Sequence, residues 1–139
     1  MKKFRFLEDV AIADICFEAY GKTLNEVFEN SALAFFDMTA NPLTIKSKLT
    51  KEIVLKNPIE QSLLYDFLSE LVFLKDAEQL IFNSVKVSIV KGQLKAILKG
   101  DLIQAEKQEL RNDIKAITFH MFALEKTKKG YTSRVVVDI

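Results

Sequence analysis

From Leu80 onward the sequence runs as strand-like segments joined mostly by short turns, and this limits the fold more than any other feature. Neighbouring parallel strands need a crossover of about a dozen residues or more, usually a helix, whereas antiparallel strands need only a hairpin. Residues 80–82 and 85–90 lead into Lys91-Gly92, a hairpin signal, and then into residues 94–98. Residues 100–110 are polar and loop-like. Residues 113–124 form one long strand with apolar residues on both faces in its middle. Residues 126–130 turn the chain into a last strand, 131–139. Helical periodicity is confined to the residues before Leu80, so the chain is expected to be α+β, with a largely antiparallel sheet and two main helices. No repeat, linker or low-complexity stretch interrupts residues 1–139, which are read as one domain.

The residues before Leu80 supply the helices. Residues 3–7 alternate weakly and read as a first strand. "ADICFEAYG" alternates better, with Ile15, Phe17 and Ala19 on one side and Asp14, Cys16 and Glu18 on the other, the pattern of a half-buried strand. Gly21 turns the chain, and Thr23 with Glu26 makes a capping box. Leu24, Val27, Phe28, Ser31, Ala32 and Phe35 then share a helical face, which Asn41-Pro42 ends. Residues 48–56 read as a strand. Asn57 and Pro58 come next as N-cap and first residue of a second helix, with Glu60 in its first turn. Leu64, Phe67, Leu68, Leu71 and Leu74 give this helix an apolar stripe, which Leu63, Val72 and Phe73 widen. A helix this apolar is expected to be packed on more than one side.

Several function classes fall away on composition. Twenty basic residues against nineteen acidic ones leave a net charge of +1, without the basic excess that sequence-independent nucleic-acid binding usually shows. Lys46, Lys48, Lys51 and Lys56, and Lys126, Lys128 and Lys129, read as solvated strand edges and a turn, since edge lysines block unwanted pairing. Charges in Met1-Lys2-Lys3-Phe4-Arg5 break any signal-peptide core, and no apolar run is long enough to span a bilayer, so the cytoplasm is the expected compartment. The single cysteine, Cys16, agrees with a reducing environment. Four scattered glycines make neither a phosphate loop nor a dinucleotide fingerprint. His120 reads as a hydrogen-bonded core histidine on the face of Ala116, Thr118 and Phe122. On the residues alone no enzyme is visible, and no catalytic residue is assigned. Asp138, between Val137 and Ile139, is the one oddity, because a carboxylate beside a buried strand needs a partner.

A resemblance gives that aspartate a context. "IADICFEAYGKTLNEVFENSALAFFDMT", "LLYDFLSELVFLKDAEQLIF", "DIKAITFHMFALEK" and the closing "VVVDI" are together similar to the archease family, in order and over nearly the whole chain. Archeases are small protein cofactors of the GTP-dependent RNA-splicing ligase, which uses manganese and guanylylates a histidine of its own. The resemblance implies an activator that speeds ligase guanylylation and allows multiple turnovers in tRNA splicing or RNA repair. It implies a protein partner, RNA only through that partner, and no membrane. It also implies that Asp14 and Asp138 lie together beside a divalent cation, calcium first and magnesium second, and that Lys115 serves activation with them. Two facing carboxylates repel, and a hard cation with oxygen ligands removes the conflict.

The sequence departs from the family pattern in places. Residues 8–14, "EDVAIAD", are longer than the usual "EHTAD" and lack its histidine, which leaves Asp9 as a further carboxylate. Gln108 stands where a histidine is common, and Asn41 where an aspartate is. Without the resemblance, Asp14 and Asp138 read simply as residues that end strands. The competing function is a chaperone-like or scaffold binding module with no metal role.

Overall fold

The computed structural model describes residues 2–7 and 14–139, and every strand pairing in it is antiparallel. The elements run β1 (Phe4–Leu7), β2 (Asp14–Gly21), α1 (Leu24–Thr39), β3 (Leu49–Lys56), α2 (Glu60–Glu78), β4 (Leu80–Val90), β5 (Gln93–Leu102), β6 (Ala116–Ile117), β7 (Ala123–Thr127) and β8 (Gly130–Asp138). One sheet is ordered β1-β2-β8-β6, with β7 also on β8, and the other β3-β5-β4. Helix α1 packs on β2 and β8 of the first sheet and β4 of the second, while α2 touches β6, β7, β3 and β4. The two helices therefore fill the space between the sheets, and the expected α+β class with two main helices holds. No helix among the described residues is long and apolar enough to cross a membrane.

Local chemistry explains the entry into α1. A Cβ on Gly21 would overlap the backbone of Glu26 and Val27, so only glycine lets β2 run this close to the helix start. The Thr23 hydroxyl accepts from the Glu26 amide at 3.1 Å. Glu26 reaches back to the Lys22 amide at 3.2 Å, one residue outside the usual box. Inside the core, Ser31 and Ser133 share a hydrogen bond of 2.8 Å between α1 and β8. Phe17, Phe28, Phe36 and Phe67 are fully buried in the same core cluster, each burial stabilising by roughly 1.5–3 kcal/mol.

Other expectations are corrected by non-local contacts. The long strand at residues 113–124 is two strands, because β6 and β7 occupy successive lengths of the same edge of β8. Ile117 lies opposite Val137 and Ala123 opposite Arg134, so the β6–β7 side spends more residues than β8 does and must loop out. Tyr65 holds that loop: its ring stacks on Phe119 at 4.2 Å and its hydroxyl donates to the Ile117 carbonyl. His120 and Met121 form the turn, with Met121 at φ 54°, and both are exposed. His120 is thus not a core histidine.

Residues 100–110 are likewise not all loop. Strand β5 continues to Leu102, and Gln108 closes the segment after it by donating to the Leu102 carbonyl and accepting from the Gln104 amide. The second helix starts two residues late, at Glu60. Asn57 accepts from the Ile59 amide ahead of the helix and donates to Asp66, and Pro58 stays outside. Phe73 is exposed and does not widen the buried stripe, which Leu63 to Leu74 otherwise form as read. Lys91 and Gly92, at φ 50° and 77°, make the expected hairpin turn.

Candidate functional site

Strand β2 lies between β1 and β8, and its register sets the geometry of the site. Asp14 is directly opposite Asp138, Cys16 opposite Val136 and Glu18 opposite Arg134. Residues directly opposite in an antiparallel pair project to the same side of the sheet. Asp14 and Asp138 therefore stand side by side at one end of the sheet, on the side away from Ile15, Phe17 and Val137. Both are half-buried. Strand β6 continues the arrangement, with Ala116 opposite Asp138 and the Lys115 amide donating to the Asp138 carbonyl at 2.8 Å. The three residues singled out in the sequence thus meet. Lys115 does so through its backbone. Its side chain is exposed and makes no ion pair among the described residues.

The middle of the same face carries a buried charge cluster that strand alternation does not disclose. Glu18 is buried, so β2 is covered on both faces and is not the half-buried strand its alternation suggests. Its carboxylate accepts from Arg5 Nε at 3.0 Å and Nη2 at 2.8 Å, from Arg134 Nη2 at 2.9 Å and from the Tyr20 hydroxyl at 3.1 Å. Burial alone would raise the Glu18 carboxyl, but the hydrogen bonds from Arg5, Arg134 and Tyr20 outweigh it and hold it below its ordinary range. Between Glu18 and Asp14, Cys16 is fully buried, and burial pushes its thiol up. The signal available in the sequence was an arginine inside each neighbouring strand, in "FRF" and "SRVVV".

The face therefore has a neutralised centre and an acidic end. Carboxylate oxygens suit a hard divalent cation. The neighbouring thiol is protonated and buried, so it offers no soft ligand. Among the described residues no cluster of three or more potential ligands occurs. Asp14 and Asp138 would thus fill only part of a shell of roughly 6–8 oxygens, with carbonyls and water completing it. Asp9 and the lengthened loop before Asp14 lie outside the described residues. Gln108 is engaged with the backbone of its own loop, and Asn41 accepts from the Leu43 amide as a cap. A separate cavity of about 560 Å³ lies between the ends of α1 and α2, lined by residues including Thr39, Lys75, Ile81 and Leu110, and neither Asp14 nor Asp138 is part of its wall.

Comparison with known proteins agrees with this architecture. The sequence profile of the archease protein family matches residues 4–139. The chain is similar to the protein archease of Methanosarcina acetivorans, with 38% identity over 99% of this chain and 97% of that one. It is 39% identical to the protein archease of Thermococcus kodakarensis, over 100% of both. The solution structure of protein 1598 of Methanobacterium thermoautotrophicum superimposes with a TM-score of 0.79 at 32% identity, covering 100% of both chains. The crystal structure of an archease from Thermotoga maritima, described as a possible chaperone, has a TM-score of 0.67 at 20% identity over 91% of each chain, and shares the fold.

Proposed function

The chain belongs to the archease family, and on that premise we propose that it is a non-enzymatic activator of a GTP-dependent RNA-splicing ligase. In this reading it promotes guanylylation of the ligase and repeated turnover, in tRNA splicing or RNA repair. The observation that carries the reading is the pairing of Asp14 with Asp138 across β2 and β8.

Two half-buried carboxylates brought side by side cost stability unless a positive charge is present to balance them. In this reading the balancing charge is calcium or magnesium, with Asp14 and Asp138 as its protein carboxylate ligands. When bound, the cation would supply a fixed positive centre with exchangeable ligand positions open to a partner's oxygen groups. The chain's own contribution is positioning. The β2–β8 ladder sets the two carboxylates opposite each other, the Glu18–Arg134 contact bridges that ladder, and the Lys115 amide ties β6 to Asp138. The exposed Lys115 ammonium is then free to meet an anionic group of the ligase.

A second reading has one observation in its favour. Phe119 is 76% exposed although stacked on Tyr65, and such a rigid aromatic beside Met121 suits a chaperone-like contact with no metal role. One experiment separates the two. Asp14→Asn, Asp138→Asn and the double variant are assayed for guanylylation and turnover of the cognate ligase, with calcium titrated into each. Shared use of one ion predicts similar losses from either single change and little further loss from the double, because groups acting as a unit are not additive. Full activation by the double variant would leave the chaperone-like reading.

A further inference from the structure

The second sheet turns one face to the helices and the other to solvent, and its outward face is basic. On the central strand β5, Leu94, Ala96 and Leu98 are buried while Lys95 and Lys99 are exposed. Lys56 on β3 and Lys86 on β4 share that outward side, and Lys91 borders it from the turn. At the outward positions 50–56, 84–90 and 93–99 the one carboxylate is Glu52, 3.6 Å from Lys95. The net charge of +1 conceals this segregation, since α2 alone carries five carboxylates against one lysine.

The chemistry of the face selects among polyanions. Protein interfaces are depleted of lysine and depend on a buried aromatic or apolar centre. This face has no aromatic residue, and Val54, Ile97 and Val90 lie scattered among the charges. Single-stranded nucleic acid is held largely by base stacking on aromatic rings, which are missing here for the same reason. Hydroxyls are present instead: Lys99 lies between Thr50 and Ser84, and Lys95 beside Ser88. Lysines interleaved with hydroxyls are the groups that contact phosphate and sugar. Lys95 and Lys99 sit on a central strand, so protection of a sheet edge does not account for them. Lys56, Lys91 and Lys95 also border an open depression of about 450 Å³ with Ser88 at its wall.

We propose that the outward face of the second sheet binds the phosphate backbone of duplex RNA without reading its sequence, the choice of RNA resting on the ligase reading. The test is fluorescence anisotropy of a labelled mixed-sequence RNA duplex, titrated with the full chain at several salt concentrations. Five lysine–phosphate contacts at about −0.9 each, the B-DNA value, predict a log–log salt slope of about −4.5. Lys95→Gln and Lys99→Gln should each reduce that slope by about one, and Lys95→Glu with Lys99→Glu should abolish binding. Binding that ignores salt or these substitutions overturns the proposal. So does tighter binding to single-stranded RNA or to polyglutamate. Asp138→Asn should bind the duplex as the unaltered chain does. Duplex binding without ligase activation would refute the ligase reading alone, and activation without duplex binding would refute this proposal alone.

Discussion

Replacing Glu18 by glutamine keeps the shape of the side chain and removes its charge, which isolates what the arginine clamp contributes. The Glu18 side chain is 12% exposed and accepts four hydrogen bonds, three of them from Arg5 and Arg134. Breaking a fully buried ion pair costs about 3–5 kcal/mol because a charge is stranded without a partner. Here the arginine side chains are 53% and 42% exposed and can return to water, which removes most of that penalty. The remainder is the loss of charge-assisted hydrogen bonds to a desolvated carboxylate, about 2 kcal/mol. For a chain of this size that lowers Tm by roughly 6–10 °C. The pH dependence has a fixed sign. A carboxyl held below its ordinary value of 4.5 contributes its stability in full above that value and loses it as pH falls through the lowered folded value. The gap between Glu18→Gln and the unaltered chain should be widest near neutral pH and close in acid. Calorimetry across pH 3–7 measures it. Equal melting temperatures at neutral pH, or a gap that widens in acid, would refute the clamp argument.

Leu68 is fully buried on α2, so Leu68→Ala should cost roughly 2–5 kcal/mol, read by urea denaturation. The fraction that remains folded should activate the ligase normally. Cys16 is fully buried with its thiol pushed up. It should resist an aromatic disulfide reagent in the native state and react at once in denaturant. Rapid native labelling would mean that the centre of the β2–β8 face opens readily.

How much the sequence disclosed depends on the range of the interactions involved. The capping pair Thr23 and Glu26, the Lys91-Gly92 turn and the stripe of α2 are each settled within a few residues, and each was legible. The loop between β6 and β7 was not, because apolar residues such as Phe119 and Met121 alternate as strand residues do. Only the pairing of both short strands to β8 forces them outward. Asp14 and Asp138 could be paired through the family resemblance, and neither residue carries a local sign of the other. The burial of Glu18 required knowing that Arg5 and Arg134 flank it in the sheet. The lysine face is not visible in the composition, because net charge averages over surfaces that the fold keeps apart.

The pairing of β2 with β8 also bears on how the protein is made. Glu18 and Arg134 are 116 residues apart in sequence, and Ser31 and Ser133 are 102 apart. Contacts of such separation carry the largest loop-closure entropy and slow the search for the native state. The α2 and β3–β5–β4 unit draws on shorter separations and can form earlier. Asp14 and Asp138 then come together only when this most distant pairing closes. The pair is therefore a mark of completed folding: a partially folded chain would present the lysine-bearing sheet without the carboxylate site.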